Sequence, residues 1–215
     1  SNRPLESDPR LAMTVLRVNL NKVALIRNSR DTFVPSPLEF AATAIEAGAG
    51  GITVHPRPDQ RHIRVTDCYD LASSLAVEFS LEGNPFAPRM SSDRDGIATY
   101  PGFMALVEAT RPAQVTLVPD TNAQLTSDHG FDLSQDAERL VPIIASLKAM
   151  GCRVCLFMDP EPKSMSAAAE IGADRVELYT ESYAVAHAAG HFERVLCQFS
   201  EAAVAIIASK RRLDI

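Results

Sequence analysis

The sequence predicts an α/β protein made of repeated βα units that curl into a barrel. Three observations carry this. First, a helical segment that closes on glycine is followed within a few residues by a short β-rich run, at 47–55, 150–157 and 171–179. Second, helical periodicities alternate with such runs along the chain, and this alternation implies parallel strands joined by right-handed crossovers. Third, the 215 residues are 46% hydrophobic and 22% charged. That is an ordinary globular composition, with length for one domain and a substantial core.

Taken in order, strands are expected near 15–20, 52–55, 77–82, 114–118, 153–158 and 174–179. Gly48, Gly151 and Gly172 suit the left-handed residue that ends a helix before each new strand. Ser36-Pro37-Leu38-Glu39 is a capping box with proline at the first helical position, opening a helix that runs to about Gly48. Leu140, Ile143, Ile144 and Leu147 follow helical spacing after Ser134, and Phe192, Val195, Leu196, Phe199, Ala203 and Ile206 do so near the end. Six βα units are counted, and Leu213-Asp214-Ile215 reads as the start of a seventh strand. A closed (β/α)8 barrel of the TIM type usually takes about 250 residues. The expectation is therefore a single barrel domain over 1–215 holding about six of eight units, the last ones missing. Residues 1–12 read as a flexible N-terminus, with Ser1-Asn2 as a tag scar. Six parallel strands leave open edges, so residues 1–215 alone are expected to need a continuation or neighbouring subunits.

Several classes are excluded. No apolar run approaches the ~20 residues of a membrane span, and the polar N-terminus lacks the build of a signal peptide. The net charge is −6 with no basic run, so nucleic acid is not an expected partner. A few converging arginines can still hold phosphate on an acidic protein. Cys152 and Cys155 have the spacing of a metal or redox pair. However, Cys155 lies in a strand-like run, where residues three apart face opposite sides, and no second pair completes a zinc site. Reduced thiols fit a cytoplasmic protein.

The chemistry should sit at the C-terminal ends of the strands, and polar residues recur there. The first strand runs into Asn19-Leu20-Asn21-Lys22, the third into Glu82-Gly83-Asn84, the fourth into Pro119-Asp120 before a loop with Thr126, and the fifth into Asp159. The sixth carries Glu177 and Tyr179. The loop after the second strand, His55 to His62, places His55, Arg57, Arg61 and His62 within eight residues stiffened by prolines. Arginine pairs with phosphate oxygens and histidine suits proton transfer near neutral pH; the bland alternative is a solvated loop. The alternation Val77-Glu78-Phe79-Ser80-Leu81-Glu82 turns Ser80 and Glu82 into the barrel if Phe79 and Leu81 face the helices. A desolvated carboxyl there becomes a candidate general base, unless it only salt-bridges an arginine. Arg27, Asn28 and Arg30 add to an anion-binding density after the first strand, against which stand capping and turn roles for the asparagines. His187 and His191 read as a helix boundary, and His129-Gly130 as a turn.

These segments together resemble the pyridoxine 5'-phosphate synthase family, the ring-closing enzymes of one vitamin B6 pathway. The matching stretches are 18–30, 51–64, Leu81-Glu82-Gly83-Asn84-Pro85, Val115-Thr116-Leu117-Val118-Pro119-Asp120 and 173–180, in family order. The resemblance implies a TIM barrel with additional helices, assembled as a homo-octamer in the cytoplasm. It implies condensation of 1-deoxy-D-xylulose 5-phosphate with 3-amino-2-oxopropyl phosphate to pyridoxine 5'-phosphate, phosphate and water, with no metal or organic cofactor. By position, His55 and Glu82 match acid/base residues, and Glu177 matches a carboxylate that stabilises a transition state. Asn19 and Arg30 match contacts to the amino-ketone phosphate. Asn21, Lys22, Arg57, His62 and Thr126 match contacts to the deoxyxylulose phosphate.

The chain departs from the family pattern twice. Asn21-Lys22 replaces an Asp-His pair, as in a branch of the family that also carries Glu-Gly-Asn-Pro after the third strand. The family's third acid/base histidine, in a turn after the seventh strand, has no counterpart within these residues. Two alternatives remain open: a shortened paralogue that binds phosphorylated ligands without turnover, and another phosphate-binding barrel such as an aldolase or epimerase. The latter is disfavoured because only Lys22 could serve as a Schiff-base lysine at a strand end.

Overall fold

The computed structural model describes residues 14–30 and 32–209. The segment 1–12 and the strand-like run at 213–215 lie outside the described residues. Six parallel strands form one sheet in sequence order: β1 (Arg17–Asn19), β2 (Gly51–Val54), β3 (Glu78–Gly83), β4 (Gln114–Leu117), β5 (Arg153–Met158) and β6 (Arg175–Leu178). The sheet curls, because Arg17 and Asn19 of β1 and Arg175 and Glu177 of β6 line one and the same cavity. All six expected strands are present, each within a few residues of its expected place.

Helices connect the strands. Between β1 and β2 lie α1 (Asn21–Asn28) and α2 (Pro37–Glu46), and α3 (Val65–Ser74) precedes β3. The helices α4 (Phe103–Thr110) and α5 (Leu133–Ala149) flank β4. A 3-10 turn (Pro162–Ser164) and α6 (Met165–Glu170) lead to β6, followed by α7 (Glu181–Ala188) and α8 (Glu193–Ala208). The first and last units thus each carry an additional helix. The N-cap at Ser36 is formed: its Oγ accepts from the Glu39 N–H at 3.3 Å, the first half of the expected capping box. Leu140, Ile144 and Leu147 make a buried stripe along α5, each worth about 1.5–3 kcal/mol of burial. In α8 the buried side chains are Ala202 and Ile206, while Leu196 faces solvent. That helix rests on the 3-10 turn and α6, and Gln198 anchors it by donating to the Pro160 carbonyl at 3.1 Å.

Alternation along the strands separates two environments. Ile52, Val54, Phe79, Leu81, Val115, Leu117, Val154, Leu156 and Val176 belong to the core under the helices. Their neighbours Thr53, Ser80, Glu82, Gln114, Thr116 and Cys155 face the lumen. The register carries this across the sheet: Val54, Leu81, Val115 and Val154 lie abreast, as do Glu82, Thr116, Cys155 and Arg175. At the N-terminal end of the lumen, Glu78 takes Arg17 and, at 2.8 Å, Arg153, while Arg175 donates to Gln114 at 2.9 Å. Arg17 crosses over β2, and a Cβ on Gly51 would lie 3.0 Å from its Cγ, so glycine makes room for the crossing.

Cys152 packs in the helix-side core and Cys155 in the lumen, so the two sulfurs diverge. All four thiols are free. His129-Gly130 is not a turn but part of an irregular loop. A Cβ on Gly130 would come 2.3 Å from the Asp159 nitrogen; the glycine is there for close backbone approach. α7 ends before Gly190, whose φ is 77°, and His187 packs on Phe192 with ring centroids 5.0 Å apart. This is the helix boundary expected.

Candidate active site

A cavity of about 460 Å³ opens at the C-terminal ends of β1 to β4. Asn19, Asn21, Lys22, His55, Arg57, His62, Glu82 and Thr126 line it, together with Arg61 and Ser127. Glu177 lines the adjoining lumen, which Asn19 and Glu82 share. Arg30 is exposed beyond the end of α1 and is not among the lining residues.

His55 leaves β2 on the lumen side, and its backbone N–H donates to Asn21 Oδ1 at 2.8 Å. Its ring lies between two carboxyls: Nδ1 is 3.8 Å from Glu82 Oε2, and Nε2 is 3.6 Å from Asp120 Oδ2. His55 and Asp120 are buried and Glu82 is largely so, with side-chain exposures of 8%, 5% and 14%. Burial, joined by the positive charge of Arg57, pushes the imidazole down to about 3, so the ring is neutral at ordinary pH. Glu82 moves the other way. Burial and then the negative charge of Glu177 lift it well above the carboxylate range, against an Asn19 Nδ2 donor at 3.3 Å. Glu177 lies on an edge strand with open solvent access, yet the barrel atoms crowding its carboxyl raise it too. A neutral imidazole beside a protonated carboxyl is a pair that can pass a proton.

The loop from His55 to His62 is pinned from several sides. Arg57 donates to Asp120 and to the carbonyls of Thr121 and Gln124, at 3.3 and 3.0 Å. Arg61 pairs with Asp59 at 2.7 Å and reaches the carbonyls of Gln124 and Asn122. The two guanidiniums therefore shape the wall that carries Thr126 and Ser127 as well as offering charge to the cavity. His62 Nδ1 accepts the Ile63 N–H at 2.9 Å, which leaves its Nε2 as a donor. Burial and then Arg57 push its ring down to about 4.

Arg27 and Asn28 do not join the cavity, contrary to the anion-binding density read after the first strand. Arg27 forms a two-point ion pair with Asp67, at 2.6 and 2.8 Å, and donates to the His62 carbonyl at 3.0 Å. Asn28 Nδ2 bonds the carbonyls of Arg61 and His62 at 3.1 and 2.6 Å. They are clamps on the back of the catalytic-side loop. Asp120 and Arg61 were named from sequence, at a strand end and in the loop, but given no role; Ser127 was not named at all. Asp120 had the same signal as Glu82, a carboxylate at a strand end. Ser127 had none, because only the fold brings its loop over β2. Among the described residues no group of three or more His, Cys, Asp or Glu side chains is arranged to hold a metal ion, and no helix is long and apolar enough to cross a membrane.

Parallel βα units with a buried imidazole, two shielded carboxyls and two guanidiniums at their strand ends define the class: a βα-barrel enzyme with groups capable of acid–base chemistry in the usual place. The solved structure of a mandelate oxidase variant has the same fold, with a TM-score of 0.51 at 12% identity, covering 82% of this chain and 56% of its own. The chain belongs to the pyridoxal phosphate biosynthesis protein PdxJ family, whose model matches residues 16–215. It is 54% identical over 192 residues to the pyridoxine 5'-phosphate synthase of Xanthomonas oryzae pv. oryzae, covering 88% of this chain and 72% of the relative. It is 49% identical over 194 residues to that of Xylella fastidiosa, with the same coverage. This is a biosynthetic enzyme of the pyridoxine pathway.

Proposed function

We propose that the chain condenses 1-deoxy-D-xylulose 5-phosphate with 3-amino-2-oxopropyl phosphate, giving pyridoxine 5'-phosphate, phosphate and water. The observation that carries this is the His55 imidazole held between buried carboxyls beside a wall of cationic side chains. An amine adds to a ketone, phosphate and water leave, and an aldol-type closure makes the ring. Each step moves a proton at or near a carbonyl carbon, work suited to a shielded carboxyl and imidazole. Glu82 and His55 exchange these protons, and Glu177 stabilises charge that develops across the lumen. Arg57, His62, Thr126, Asn21 and Lys22 hold the deoxyxylulose phosphate, and Asn19 and Arg30 the amino-ketone phosphate. Fixing both reactants by their phosphates supplies much of the rate through orientation. The enzyme works in the cytoplasm as a homo-octamer.

Glu82→Gln tests the centre. It keeps shape and hydrogen bonding and removes proton exchange, so turnover should fall roughly 10²–10⁴-fold with folding intact. Near-normal condensation by this variant would sink the assignment.

A further inference from the structure

Asp120 follows β4 and is the group on which the centre converges. Its Oδ2 takes Arg57 and, at 2.9 Å, Ser127 Oγ, and faces His55 Nε2 at 3.6 Å. Asn84 fixes its backbone by donating to the carbonyl at 2.6 Å. Oδ1 is buried with no hydrogen-bond partner among the described residues. Asp120 lines a second cavity of about 210 Å³, which shares His55 and Arg57 with the larger one.

A neutral imidazole carries one N–H and one lone pair. His55 faces a carboxyl on each side, so both contacts are favourable only if one carboxyl accepts and the other donates. Burial raises the Asp120 carboxyl, but Arg57 and Ser127 both donate to it and favour its charged form. Among the described residues Glu82 takes, besides His55, the Asn19 amide, and looks across the lumen at another carboxyl, Glu177. Asp120 is thus the acceptor and Glu82 the donor.

We propose that Asp120 is a positioning residue that holds His55 as its Nε2–H tautomer and aims the Nδ1 lone pair at Glu82. The inference rests on the acid–base roles given to His55 and Glu82 above. Glu82 Oε2–H then donates to the Nδ1 lone pair and is held, protonated, facing the lumen; it gives that proton to substrate, and the carboxylate left behind takes one back later in the reaction. The separations of 3.6 and 3.8 Å are longer than formed hydrogen bonds; such contacts often tighten when a ligand fills the site.

Nitrogen-15 NMR of the full chain with labelled histidine tests this directly. The five histidines allow the His55 signals to be assigned by their loss in His55→Gln. The wild-type ring should be protonated on Nε2 and bare on Nδ1 at neutral pH, and Asp120→Asn should move proton occupancy toward Nδ1. A wild-type ring protonated on Nδ1 would overturn the proposal without any variant. In turnover, Asp120→Asn should lose roughly 10²–10⁴-fold in kcat, measured at a temperature where the variant remains folded, with part restored by Asp120→Glu. An Asp120→Asn variant of normal kcat and pH profile, alongside an inactive Glu82→Gln, would sink the role of Asp120 alone. Normal turnover of Glu82→Gln would instead sink the reaction centre itself.

Discussion

Arg27→Met breaks the ion pair that holds the His55–His62 loop from behind, and its cost follows from the geometry. Arg27 and Asp67 are 4% and 10% exposed and meet at two points, 2.6 and 2.8 Å. Truncating one partner of such a pair leaves an uncompensated buried charge, typically about 3–5 kcal/mol. The variant also forfeits the bond to the His62 carbonyl at 3.0 Å, about 1 kcal/mol. Asp67 keeps the Arg64 N–H, which caps α3 at 2.7 Å, so the loss is not total. We expect about 3–5 kcal/mol in all. Urea unfolding should show a lower midpoint at unchanged slope. Adding Asp67→Asn preserves the cap acceptor and removes the orphaned charge, so the double variant should recover all but about 1–2 kcal/mol. A single variant costing under about 1 kcal/mol, or a double variant as unstable as the single, would refute the reasoning.

Two further outcomes follow. Arg57→Lys replaces a fork bonded to Asp120 and two loop carbonyls by a point charge, so deoxyxylulose phosphate should bind roughly tenfold more weakly; unchanged affinity in titration calorimetry would return the loop to a merely solvated role. Glu82 has a folded-state value raised by burial and by Glu177 to about 8, so the stability it contributes is full below its ordinary range and is lost as pH rises through about 8. Glu82→Gln should therefore gain stability relative to wild type between pH 5 and 8, and a flat or falling difference in melting temperature over that window would contradict the assignment.

The barrel was legible because its signals are local. Glycine-closed helices, the serine N-cap at Ser36 and the strict alternation from Val77 to Glu82 depend only on neighbours in sequence, and each is present where expected. The alternation even assigned Glu82 to the lumen and Leu81 to the helices, because side chains on a strand have a fixed period of two. Arg27 shows the limit. From sequence it was one more cation near a strand end, with the same claim on phosphate as Arg57. The pair that claims it lies 40 residues away.

The sequence by itself determined the βα order, the faces of the strands and the chemical kinds gathered at their ends. Tertiary structure alone decided which charge meets which. It gave Arg27 to Asp67, left Arg57 at the cavity with Asp120, set the His55 ring between two carboxyls, and kept Arg30 at the surface. The reason is physical: periodicity is written in adjacent residues, but desolvation and ion pairing act through space and fall off within a few ångströms. A side chain's charge state and role are therefore fixed only when the fold brings its distant neighbours to it.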